Sequence, residues 1–115
     1  MTKEKEEILK KTSKEYYESG KEELAKERNN SALVLFFKSL VSLSDLYILI
    51  HTGKTPSSHT DRFLITKQKF PDIYNLLDKD FPFYQDSYNI LMSKELAEVI
   101  KEDAEKVADK VKFKL

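Results

Sequence analysis

The sequence predicts an all-α protein: an up-and-down bundle of four main helices, with an extra short helical segment before the last. Three observations carry that expectation. Apolar and small residues recur three and four apart over long segments, which places them on one helical face. The 115 residues include only two glycines and three prolines, and Gly53, Pro56, Pro71 and Pro82 stand where helices have to stop or start. The stretch Ala32 to Ile50 is apolar around most of its circumference, as expected of a helix at the centre of a small bundle or of a dimer.

The first helix is expected over Lys3 to Glu27, where Leu9, Ser13, Tyr16, Gly20 and Leu24 form a stripe in a Lys- and Glu-rich background. Ser13 and Gly20 are small enough to admit a close neighbour. Asn29, Asn30 and Ser31 then offer side-chain acceptors to the free amides of a second helix, which runs to about His51 and ends at Gly53, suited to a left-handed C-cap. Ser58 and Asp61 have the spacing of a capping box and start a third helix through about Lys69. Pro71 and Pro82 each suit a first helical turn, so Phe70 to Phe83 is expected as short pieces joined by a bend. Ser93 caps the last helix, whose stripe is Leu96, Ile100, Ala104, Val107 and Val111.

A chain of this length buries roughly two thirds of its surface, enough for one core, so residues 1–115 are expected as a single domain. Twenty basic and twenty acidic side chains cancel, leaving no net field to draw the molecule onto nucleic acid or an anionic membrane. Arg28 and Arg62 are the only arginines, too few for dense bidentate phosphate recognition. The absence of cysteine removes disulfides and thiolate metal sites and points to a cytoplasmic protein. The charged N-terminus lacks the apolar stretch of a signal peptide. Lys38 and Asp45 interrupt the long apolar run, so no membrane span is expected.

The motifs that would carry chemistry are incomplete. Gly53-Lys54-Thr55 has the ending of a phosphate-binding loop, but Ile48 occupies the position of its first glycine and no strand precedes it. Asn29-Asn30-Ser31 fits a glycosylation acceptor, yet helix capping accounts for it. His51 and His59 are the only histidines, and no H-x-x-x-H or E-x-x-H pair sets two ligands on one helical face, so neither a metal nor a cofactor is expected. The thirteen aromatics mostly follow helical spacing and belong in a core. Tyr84, Asp86, Tyr88 and Asn89 differ, being a polar cluster on one short segment that suits a groove or partner.

A long charged helix, the central segment NNSALVLFFKSLVSLSDLYIL, the tip TGKTPSSH, then FYQDSY ahead of SKELAEVIKEDAEKVADKV together resemble the HEPN domains, the nucleotide-binding helical bundles of higher eukaryotes and prokaryotes. The likeness spans nearly the whole chain. It matches Ser58 and His59 to a serine or threonine followed by histidine after the family's central helix, and Tyr84 and Tyr88 to its tyrosine-rich turn. The resemblance implies a helical bundle that dimerises, pairs with a nucleotidyltransferase-type protein in a toxin and antitoxin system, or acts as a metal-independent RNase. The RNases use an R-x(4–6)-H motif that this chain lacks. No histidine follows Arg62, Arg28 is too far from His51, and Ser87 stands where the tyrosine turn would carry arginine.

The expected function is therefore a non-catalytic, HEPN-like interaction module, homodimeric, in which His59, Arg62, Tyr84, Asp86 and Tyr88 hold a nucleotide, RNA or a nucleotidyltransferase-type partner. Two alternatives stand beside it. One is a divergent RNase or nucleotide-processing enzyme that uses His59 as acid or base with Asp61, Arg62 or Asp86 beside it. The other is a purely structural homodimer.

Overall fold

The computed structural model describes residues 2–115. Among these there are five helices and no strand: α1 (Thr2–Ala25), α2 (Asn29–Thr52), α3 (His59–Lys69), α4 (Pro71–Asp86) and α5 (Lys94–Lys110). The all-helical expectation is met.

Helix α2 is central because its composition leaves it no polar face. Twelve of its residues are buried, including Leu33, Phe36, Phe37, Leu40, Leu43 and Leu46, and it packs against α1, α4 and α5. Burying each large apolar side chain contributes about 1.5–3 kcal/mol, so this helix dominates the cohesion of the domain. The same helix is long and apolar enough to cross a membrane. Here its apolar residues form the core.

Helix α1 returns antiparallel to α2 across a seam of small residues. Ser39 Oγ donates to the Ser13 carbonyl at 2.8 Å in a buried bond, and Thr12 reaches Ser42. At Gly20 an added Cβ would sit 2.6 Å from the Phe36 ring. Glycine there is a packing requirement: helix propensity alone would favour alanine by about 1 kcal/mol. The residue that completes this seam is Tyr17, whose ring lies tilted against Phe36 and whose hydroxyl donates its proton to Glu105 on α5. Tyr16, the stripe position expected from spacing, is half-buried and turned toward α2 at Lys38. The exposed ion pairs along α1, such as Lys21–Glu18 at 3.5 Å, add at most about 1 kcal/mol each, so the seam and not the charge holds α1 in place.

Residue contacts give the helix directions. Phe37 meets Tyr84 while Tyr47 meets Phe70, which sets α4 antiparallel to α2. Lys79 meets Asp103 while Asp72 meets Lys110, which sets α5 antiparallel to α4. The Cα radius of gyration, 13.5 Å, is close to the roughly 13 Å expected of one core of this length.

Gly53 ends α2 in the left-handed region, and Ser58 and Ser93 accept the Asp61 and Leu96 amides as N-caps. Two local expectations are corrected. Asn29 and Asn30 do not cap α2, which begins with no side-chain cap. Asn30 instead donates to the Ser87 and Ile90 carbonyls at 2.8 Å and accepts the Met92 amide, and Asn29 donates to the Met92 carbonyl. Four bonds thus fasten the loop before α5. The segment expected as short bent pieces is the single 16-residue helix α4, which holds Pro82 inside it; the shortest helix is α3, with 11 residues. Pro82 is tolerated because it lies on the exposed side and costs one backbone bond, its missing N–H leaving the Asp78 carbonyl without its helical donor.

Candidate functional site: a polar corner between α2, α3 and α4

The corner is built from the start of α3. Asp61 accepts the Ser57 amide at 2.9 Å while its own amide bonds Ser58 Oγ at 3.0 Å, a reciprocal cap that fixes the first turn. His59 and Arg62, three residues apart, then share a face. Arg62 points inward and binds Asp45 of α2 with two parallel bonds, Nε to Oδ1 at 2.6 Å and Nη2 to Oδ2 at 2.9 Å. Its side chain is only 10% exposed and that of Asp45 14%, so each charge depends on the other for compensation.

The third bond of the guanidinium sets the state of His59. Arg62 Nη1 lies 2.8 Å from His59 Nδ1. A guanidinium only donates, so Nδ1 accepts and the neutral ring carries its proton on Nε2. Partial burial lowers the His59 pKa below its usual value, with the Arg62 and Lys38 charges adding to the effect and Asp45 opposing it. The imidazole is thus a neutral donor whose basic nitrogen is occupied.

Aromatic rings wall the corner from the α4 side. Phe81 lies 5.8 Å from His59 and 5.4 Å from Phe63, and Tyr84 stacks on Phe37 at 4.7 Å. The Tyr84 hydroxyl meets that of Tyr88 at 3.1 Å. Between these elements lies a concavity of about 200 Å³, lined by Tyr16, Phe37, Lys38, Val41, Ser42, His59, Arg62 and Tyr84. A larger and shallower groove of about 710 Å³ lies beside it, across α1 and the start of α2, with Tyr88 on its wall together with Glu22, Glu23 and Arg28. Its charges partly cancel, Arg28 standing 3.6 Å from Glu23. The smaller concavity carries the more defined chemistry.

Of the five residues expected at a site, His59, Arg62 and Tyr84 line this concavity together, and Tyr88 joins them through Tyr84. Asp86 does not. It is exposed at the end of α4, where its carbonyl accepts the Asn89 and Ile90 amides, and lines neither hollow. Sequence reasoning passed over Asp45, Lys38, Tyr16 and Ser42. A signal for two of them was present: Lys38 and Asp45 are the only Lys, Arg, Asp or Glu residues in α2, and seven residues set them on one face two turns apart. His51 stands elsewhere, stacked on Tyr47 at 4.1 Å and against Phe70. Among the described residues no three His, Asp or Glu side chains converge as a metal would require.

Compared with known proteins, the chain matches no family model and no curated protein.

Proposed function

We propose that the protein is a non-catalytic, HEPN-like interaction module that receives a small anionic group in the corner between α2, α3 and α4. In this reading α1, α2, α4 and α5 are the four helices of an up-and-down bundle and α3 is the added short helix. The observation that carries it is the Arg62 to His59 bond. A general base needs a free lone pair, and the only lone pair on the neutral imidazole is spent on the guanidinium. The Arg62 charge is already matched by Asp45, so Lys38 supplies the attraction, with His59 Nε2–H and the Ser42 and Tyr84 hydroxyls available as donors.

The hollow is smaller than the roughly 300–1,000 Å³ of clefts that enclose a whole ligand. It suits the phosphate of a nucleotide or of an RNA end, the remainder lying outside against Tyr84 and Tyr88, whose rings can stack on a base. Presented on a homodimer in the cytoplasm, such a site fits recognition of a nucleotide, RNA or a nucleotidyltransferase-type partner in the manner the HEPN resemblance implies.

Titration of isotope-labelled protein with adenosine monophosphate, followed by NMR, tests the proposal. Shifts confined to Ser42, His59, Tyr84 and their neighbours are expected, with binding weakened about tenfold or more by Lys38→Ala, the loss of one charge-assisted contact. Turnover of RNA by the protein, abolished in His59→Ala, would replace the module with the enzyme. No shifts at millimolar nucleotide would remove both.

A further inference from the structure

Asp80 and Asp103, with exposures of 0% and 1%, are the acidic side chains buried outright among the described residues. Asp80 lies on the inner side of α4 and Asp103 on that of α5, and the one ammonium of Lys79 reaches both, which sets the two carboxyls beside each other. Two carboxylates so placed and shut away from water repel each other unless one of them holds a proton. Neither oxygen of Asp80 has a donor within hydrogen-bond distance.

Of the two lysines beside the pair, only one reaches Asp80. Lys79 Nζ, from α4 itself, stands 2.7 Å from Asp103 Oδ2 and 3.7 Å from Asp80 Oδ1, and Lys106 from α5 approaches Asp103 Oδ1 at 3.6 Å from an exposed position. Packed on the other side of α4, α2 and α3 present the Phe37 and Phe63 rings to Phe81, and no charge of theirs is among those acting on Asp80.

The pair sits one residue before the wall of the functional corner. Phe81 follows Asp80 directly, Tyr84 is one turn on, and Pro82 between them removes a backbone rung from the helix. We propose that Asp80 and Asp103 form a proton-controlled latch: with one proton between them α4 is held on α5, and its loss drives the carboxyls apart and lets α4 yield at Pro82, displacing the Phe81 and Tyr84 wall.

Burial and the neighbouring Asp103 push the Asp80 carboxyl up to about 8, against the pull of Lys79. Burial pushes Asp103 up as well, but the neighbouring Asp80 carboxyl and the Lys79 ammonium outweigh it and hold the group below its ordinary value. The sign follows from linkage. A carboxyl that binds its proton more tightly when folded contributes most below about pH 4, and that contribution falls as pH rises toward about 8.

Carbon-detected NMR of the side-chain carboxyls, recorded with the Tyr84 ring signals across the pH range, tests the latch. Asp80 is expected to titrate near pH 8 with the Tyr84 ring moving at the same midpoint. Asp80→Asn, which keeps a donor toward Asp103 but cannot ionise, is expected to leave Tyr84 flat with pH. An Asp80 midpoint below about pH 5, the ordinary carboxylate range, would overturn the latch in the unaltered protein. So would a Tyr84 signal that ignores Asp80 ionisation, or an Asp80→Asn variant with the unaltered response.

Discussion

The bundle holds two buried ionic clusters, one against each side of α4, and they are built on opposite terms. At the corner Arg62 and Asp45 match charge for charge, with two parallel bonds and a third to a neutral histidine. At the α4 to α5 contact two carboxyls share one close lysine and a second, exposed one. The first cluster is closed: each charge in it faces its counterpart across two hydrogen bonds. The second is open, and its protonation decides whether it holds or repels. Burial alone does not make an ionic group rigid or pH-sensitive; the count of partners does.

The largest effect should come from breaking the closed cluster. Arg62→Ala strands the largely buried Asp45 carboxylate and is expected to cost about 3 kcal/mol, a large part of the roughly 5–15 kcal/mol that a domain of this kind has in total. Urea unfolding measures it. The double variant Asp45→Leu with Arg62→Met should recover most of that loss, because it leaves no stranded charge; a double variant as unstable as the single one would show that packing at this site, not compensation, is what matters.

A smaller loss sharpens the contrast at the open cluster. Lys79→Ala removes the close cation from Asp103, whose depressed pKa contributes stability above about pH 4 that is lost as the group protonates. A cost of about 1–3 kcal/mol at neutral pH is expected, fading as pH falls below the ordinary carboxylate value of about 4, as thermal unfolding across that range would show. A loss unchanged at low pH would mean that the alkyl stem, rather than the ammonium, does the stabilising.

What the sequence disclosed follows the same division between local and distant partners. The Ser58 and Ser93 caps and the Gly53 stop are legible because each is completed within three or four residues. Asn29 and Asn30 look identical to caps at that range, but their true partners lie 57 to 63 residues away. Pro82 reads as a helix start because propriety for a first turn is visible in sequence and an exposed side of a helix is not. The pairing of His59 with Arg62 was legible from their spacing, whereas Asp45 needed the fold to bring it 17 positions across. Asp80 and Asp103 gave no signal at all, since isolated acids on helices rich in charge read as solvated faces.

The claim on which the functional account rests is that the His59 ring is a neutral donor with its basic nitrogen held by Arg62. Long-range proton–nitrogen correlation NMR of the two histidines tests it most directly. The account predicts a proton on Nε2 and none on Nδ1, with the His59 pKa below its usual value. A proton on Nδ1, or an imidazolium already formed at neutral pH, would contradict it and return His59 to the role of acid or base.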